Sequence, residues 1–320
     1  MAGQERILRR RIKSVQSTKK ITRAMELIAA TRIVKAQGRV LAARPYAEQI
    51  TAVIRSLAAG GAAQGQALLT PRENVRKVGY IVIAGDRGLA GAYNSGVIRM
   101  VERAAVAGKA NGIDFGFITV GKKAEDYFKF RKYAIDAAFK GFSDLPQYEH
   151  ARAVAAAVLE RFNSGEYDRV ELCYTQFLSA GSQRPRLGQF APVDLGDVTG
   201  SADGGQAGYE FEPDPASILT SLLPRYAESR LFAAMLDAAA SEHAARQRAM
   251  KSATDNAGEL IKKLSRQMNQ ARQAAITTEI SEIVSGAEAL NDDKGSRSDL
   301  LLDRLDSDLF HVRTHEAVSS

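Results

Sequence analysis

The chain of 320 residues has room for about two domains, yet it lacks Trp and is only 7% aromatic, a composition that favours helix over a deep compact interior. A single cysteine, Cys173, excludes an intrachain disulfide framework and a cysteine-clustered zinc site, and fits a reducing compartment. The net charge of +7 is concentrated at one end: residues 1–55 hold thirteen Lys or Arg against Glu5, Glu26 and Glu48, so the rest of the chain is slightly acidic.

From Gln4 to Ala59 one glycine and one proline, Gly38 and Pro45, interrupt a background of good helix formers, which predicts a long N-terminal helix over 1–59 with a kink at Pro45. No stretch approaches the roughly 18 apolar residues of a spanning helix, and Met1 to Ser14 is charged where a signal peptide is apolar. The chain is therefore expected to be neither secreted nor membrane-spanning. The basic end calls for an electrostatic partner, whether nucleic acid, anionic lipid or an acidic protein surface, or else is a solvated helix face.

Beyond a loose run at 60–74 the character changes. Val78 to Ala84, Phe115 to Val120 and Val170 to Phe177 are short apolar runs with the composition of buried strands. Helix-compatible stretches at Tyr93 to Ala107, Lys123 to Arg131 and Tyr148 to Phe162 alternate with them. This pattern predicts a small α/β domain, Rossmann-like and largely parallel, over 75–195. Residues 196–215, rich in glycine and ending in EPDP, form a loop.

After Pro224 there is no proline up to Leu290, and sixty-odd residues of helix would extend roughly 100 Å. Ala257, Leu260, Leu264, Gln267, Ala271, Ala274, Thr278 and Ser281 keep a 3,4 spacing, the mark of a coiled coil. A similar thin stripe runs through Ile12, Val15, Thr22, Met25, Ala29 and Ala36. The fold class expected is therefore α+β or α/β: a long antiparallel coiled coil of the N-terminal helix and a C-terminal helix over 216–290, with the small α/β domain inserted. Each helix buries only one narrow face, so the slender pair needs a sleeve. Residues 291–320 form an acidic tail, disordered except for a short amphipathic helix capped by Ser298 and carrying Leu301, Leu302, Leu305 and Leu309. Asp292, Asp293 and Gly295 are expected to end the rod near Leu290.

Catalytic patterns fail on close reading. Gly116 to Lys122, GFITVGK, matches a phosphate loop until Lys123 stands where Ser or Thr is needed, and Phe117 to Val120 is a strand. Gly85, Gly88 and Gly91 follow a strand and precede a helix, but their spacing is GxxGxxG, which suits a structural turn better than a dinucleotide cradle. The histidines lack metal-ligand spacing, no GxSxG elbow occurs, and Cys173 lies in an apolar strand. No cofactor, metal or catalytic residue is predicted. A structural or coupling role is favoured over catalysis.

Several segments resemble one family in order along the chain. Ile12 to Ala30 (IKSVQSTKKITRAMELIAA) with Ala43 to Glu48 (ARPYAE), Asp86 to Asn94 (DRGLAGAYN), Glu212 to Pro215 (EPDP), Met250 to Ala257 (MKSATDNA) and Ile276 to Ala287 (ITTEISEIVSGA) are similar to the gamma subunit of bacterial F-type ATP synthases. Together they cover essentially residues 1–290. The resemblance departs from many relatives at Ala90, where they carry cysteine, and in the tail.

What the resemblance implies is a rotary central stalk, not an enzyme by itself. Its coiled coil lies inside a ring of alpha and beta subunits, and its α/β domain meets the epsilon subunit and the c-ring at the cytoplasmic face of the cell membrane. Rotation driven by ion flow, protons in the resembled family, is coupled to the nucleotide affinities of the beta subunits. The partner of the basic helix is then protein and not nucleic acid. By motif position, Arg272, Gln273, Thr277 and Glu279 engage the beta subunits, Met25 and Glu26 belong to the coupling segment on the opposing helix, and Tyr209 and Glu212 belong to the foot near epsilon and the c-ring. Two other readings accompany this one: an adaptor whose coiled coil presents an α/β domain to a larger complex, and a nucleotide-dependent enzyme built on the central domain.

Overall fold

The computed structural model describes residues 2–57, 65–193 and 214–309, with side chains from 4 to 57, 65 to 193 and 214 to 290. In chain order the elements are α1 (Ala2–Leu57), β1 (Lys77–Ile83), α2 (Tyr93–Ala110), β2 (Asp114–Val120), α3 (Lys122–Phe130), β3 (Ile135–Phe139), α4 (Tyr148–Asn163), β4 (Arg169–Phe177), β5 (Gln183–Ala191) and α5 (Pro215–Leu309). The chain divides into two compact units, Lys20–Asp255 and the residues up to Lys19 together with those from Asn256 onward.

The larger unit is built on a five-stranded sheet in the order β3-β2-β1-β4-β5, parallel except where β5 pairs antiparallel with β4. Strand alternation divides its core in two. On one face Val78, Tyr80 and Val82 of β1, with Phe117 of β2, pack against Val97, Ile98 and Val101 of α2 and Phe128 of α3. On the other, Ile81, Ile83 and Ile118 meet Val154, Val158 and Phe162 of α4. The same cluster takes in Ile50, Ile54 and Leu57 of α1 and Leu219, Leu223, Tyr226 and Leu231 of α5. At the other end of this helix pair the Thr22 and Thr254 hydroxyls are hydrogen bonded at 2.8 Å, so the two helices run antiparallel. The stripe expected on α1 is turned inward here at Thr22 and Ala29 and half-buried at Met25 and Ala36, and it also takes in Glu26 and Ile33.

In the smaller unit Ile12 is buried and Val15 half-buried on α1. On α5 the inward positions are Ala257, Ile261, Leu264, Met268, Ala271, Ala275 and Thr278. Half of the expected seam is therefore corrected: Leu260, Gln267, Ala274 and Ser281 are exposed. A 3,4 repeat leaves two phases open, and the one adopted buries Met268 in place of Gln267, which removes more apolar surface from water. Gly258 lets the Lys19 side chain lie close, with the ammonium 3.2 Å from where a Cβ would stand.

Two further expectations are corrected. Strands β3 and β5 are additions to the three anticipated. Helix α5 does not stop near Leu290 but continues to Leu309, so Ser298 is an interior residue and not an N-cap. Asp292, Asp293 and Gly295 each weaken a helix by only about 0.5–1 kcal/mol, and no proline follows Pro224 to end it. α1 is likewise helical through Pro45. Most of the expected loop at 196–215 and the end of the tail lie outside the described residues.

Candidate functional site

Helix geometry sorts α5 beyond Ala271 into two faces. At 100° per residue, Ala271, Ala275 and Thr278 share the inward side, while Arg272, Ile276, Glu279 and Ile283 form one outward row and Gln273, Thr277, Ile280 and Val284 a neighbouring one. All eight of these outward side chains are exposed. Thr277 is tied down locally, its hydroxyl donating to the Gln273 carbonyl at 2.9 Å. The structure thus gathers Arg272, Gln273, Thr277 and Glu279 on one side of one helix. It adds what sequence reasoning did not single out, an apolar strip of Ile276, Ile280, Ile283 and Val284 running between them. Its 4,3 spacing on the side away from the seam was the available signal. An apolar strip flanked by charged and amide groups is the composition of a partner-binding surface.

Met25 and Glu26 lie on α1 in the larger unit, whereas that group belongs to the smaller one. Met25 is half-buried, and Glu26 is almost fully buried, an unusual place for a carboxylate. Its Oε1 accepts from the Arg23 guanidinium at 2.8 Å, while Oε2 has no partner among the described residues. Arg6, Arg10, Arg11, Lys13 and Lys20 of α1 are exposed and make no ion pair within the described residues. Tyr209 and Glu212 fall outside the described residues.

The carboxyl end of the sheet, where nucleotides bind in many α/β folds, is occupied by the chain itself. The Asp86 carboxylate accepts from the backbone amides of Lys122 at 3.0 Å, Gly141 at 2.9 Å and Ser143 at 3.0 Å. Burial opposes its ionisation, but these amides and the Ser143 hydroxyl outweigh that and hold the carboxyl below its ordinary range. At Gly85 a Cβ would come within 3.0 Å of the Glu242 carboxylate, a tight approach that the carboxylate would have to yield to. Gly121, at φ +104°, would place a Cβ 2.1 Å from the Ala84 carbonyl oxygen. Gly116 sits within β2 against Asp136 and Tyr167. Gly85, Gly116 and Gly121 thus serve close packing, whereas Gly91 supplies a backbone φ of +57° and Gly88 has no atom nearer than 4.0 Å. Cys173 is buried, which together with Glu171 pushes its thiol up to about 12, and its Sγ lies 3.7 Å from the Val97 carbonyl.

Asp86→Asn is expected to lower stability by about 1.5–3 kcal/mol at neutral pH, because an amide cannot match a carboxylate accepting three amides. A carboxyl whose folded value is depressed stabilises above its unfolded value and loses that contribution as pH falls through the folded one. Urea unfolding of both proteins should therefore show the gap closing below about pH 4. A gap independent of pH would mean that the charge of Asp86 is immaterial.

Residues 4–290 match the family model described as ATP synthase. The chain is 50% identical over 295 residues to the ATP synthase gamma chain of Frankia casuarinae, covering 91% of this chain and 99% of that one. It is 47% identical to the gamma chain of Kineococcus radiotolerans, over 93% of this chain and all of that one. Its fold is similar to a chain of the Euglena gracilis mitochondrial ATP synthase OSCP/F1/c-ring assembly, with TM-score 0.66 and 18% identity over 92% of this chain and 97% of that one. It is also similar to a chain of the Tetrahymena thermophila central stalk and c-ring, with TM-score 0.58 and 24% identity over 73% and 99%. No helix among the described residues is long and apolar enough to cross a membrane.

Proposed function

From the premise that this chain belongs to the ATP synthase gamma-chain family, we propose that it is the central stalk of a bacterial F-type ATP synthase, coupling c-ring rotation to conformational change in the catalytic beta subunits. Its partners are the alpha, beta and epsilon subunits and the c-ring. It performs no catalysis itself, and it sits peripherally at the cytoplasmic face of the membrane, held there through the c-ring. The observation that carries this reading is the outward face of α5, where Ile276, Ile280, Ile283 and Val284 stand in water between Arg272, Gln273, Thr277 and Glu279. A helix turned to a sleeve needs such a face, and a self-sufficient enzyme does not. The exposed cations of α1 supply a second contact, suited to acidic segments of the beta subunits. Tyr209 and Glu212 are assigned by motif position to the foot that meets epsilon and the c-ring. The adaptor reading retains only the surfaces and loses the family match over 4–290.

A tagged copy of the full chain, expressed in its own host, should bring down alpha and beta subunits with ATPase activity. In that complex Arg272→Ala with Gln273→Ala should lower coupled ATP synthesis about tenfold or more, the loss of two charged or polar partner bonds at about 1 kcal/mol or more each. Both changes are to a better helix former, so lost helicity cannot explain a defect. Failure to recover alpha and beta subunits would overturn the stalk reading. Normal synthesis by the double variant would remove these two side chains from the coupling surface.

A further inference from the structure

The two edges of the sheet are closed in different ways. β5, at one edge, carries Pro185 between Arg184 and Arg186, a residue without an N–H flanked by two charges, which discourages a further strand. β3, at the other edge, reads IDAAF and has no proline, lysine or arginine. Its one charge, the Asp136 carboxylate, is already engaged by the Tyr167 hydroxyl. The strand is also only partly covered. Ala138 is exposed, and Ile135, Ala137 and Phe139 are half-buried, although Ile135 packs against one core and Ala137 and Phe139 against the other.

The backbone at this edge faces outward. The Phe139 carbonyl accepts from the Gly121 amide at 2.8 Å, so Phe139 turns its polar groups toward β2. Successive strand residues point these groups to opposite sides, and the N–H and C=O of Ala138 therefore point away from the sheet. The Asp136 carbonyl is met by the Arg161 guanidinium at 2.9 Å, which leaves Ala138 as the open rung. Beside the entry to the strand, Phe130 is 82% exposed, more than any other large apolar side chain among the described residues. Lys132 is exposed, makes no ion pair among the described residues and is held at φ +61°. Glycine would fill that conformation at less cost, so a lysine there points to a use for its side chain.

We propose that β3 receives an extended segment of a neighbouring subunit, paired through Ala138, with apolar side chains that cover Phe130 and Phe139 and an acidic residue beside Lys132. This rests on the stalk reading, since it needs a subunit held in the same complex. A second copy of the chain does not suit the edge, because a strand of five residues buries far less than the roughly 1,000 Å² of a stable interface. A segment tethered in one assembly needs no such area, since its attachment supplies a high local concentration. Main-chain pairing then gives affinity, and the phenylalanines and Lys132 give selectivity.

The test compares the purified complex with the free full-length chain. Hydrogen exchange at the amides of β3 should be about tenfold or more slower in the complex. Ala138→Pro removes an N–H that the sheet does not use, so the free variant should melt within about 2 °C of the parent, while its complex loses the added protection. Should that variant fail to fold, the exchange of the parent in its two states decides alone. Phe130→p-benzoylphenylalanine should, on irradiation of the complex, join this chain to one other subunit. The proposal is overturned if β3 exchanges equally in chain and complex, if the proline variant keeps the protection, or if the photoproduct lies within this chain or joins two copies of it. A preparation without alpha and beta subunits would overturn the stalk reading and this proposal with it, whereas a complete complex with an unprotected β3 overturns the proposal alone.

Discussion

Ile276→Asp with Ile280→Asp leaves the chain folded and abolishes ATP synthesis by the complex that contains it. Both side chains are about half exposed, at 48% and 56%, so no core is opened. The helix loses roughly 0.5 kcal/mol of intrinsic propensity per site, which α5 tolerates as it tolerates Asp292 and Asp293. A partner that covers these positions must instead bury two carboxylates, at several kcal/mol each after relaxation. Replacement of both residues by alanine removes apolar area without adding charge and should cost only about 1–3 kcal/mol of partner binding. The measurements are circular dichroism of the full chain and proton-driven synthesis by the purified complex in vesicles. Wild-type synthesis by the aspartate variant would show that this strip faces solvent in the working assembly.

The second large effect is expected at Arg246→Ala. Glu242 is 1% exposed and pairs with Arg246 four residues on. Removing the guanidinium strands a buried carboxylate, a change of about 3–5 kcal/mol in comparable sites. Burial already raises the Glu242 carboxyl, more than Arg246 lowers it. A carboxyl raised in the folded state costs stability increasingly as pH climbs from its unfolded value through its folded one. Losing Arg246 raises it further, so the melting temperature of the variant should fall most at pH 8 and approach the parent's near pH 5. A deficit that grows on acidification would contradict this account. The double variant Arg246→Ala with Glu242→Leu should recover part of the loss at pH 8, because the stranded charge is gone, and change little near pH 5, where the carboxyl is already neutral.

Legibility varied with the kind of signal. β1, β2 and β4 could be read because VGYIVIA, FGFITV and the run from Val170 are central strands covered on both faces. β3 and β5 could not, since they are the edges of the sheet: Ile135–Phe139 is only half-buried, and Gln183–Ala191 carries Pro185 with Arg184 and Arg186. The coiled-coil pattern was visible but its phase was not, because Leu260 and Ile261 are equally apolar and local spacing does not say which one a partner helix covers. On the candidate face the motif picked out Arg272, Gln273, Thr277 and Glu279, whereas the apolar strip between them emerged only once the inward positions were known. The junction of Asp86, Ser143, Glu242 and Arg246 was beyond sequence reasoning. Glu242 and Arg246 are neighbours one helical turn apart, but Asp86 meets Ser143 across 57 residues and Gly85 approaches Glu242 from more than a hundred residues away, and no periodicity records those meetings.

The shared core of the larger unit also sets a timetable for the chain at the ribosome. Ile50, Ile54 and Leu57 are made early, but the Leu219, Leu223 and Leu231 side chains that complete their cluster follow some 160 residues later. At 5–20 residues per second, that interval lasts roughly 10–30 s. During it the nascent chain carries an amphipathic helix and a sheet with one face incompletely covered. A chain cut short before residue 219 therefore has no folded form to retreat to, and holding chaperones should engage this protein in the window between the end of β5 and the arrival of α5.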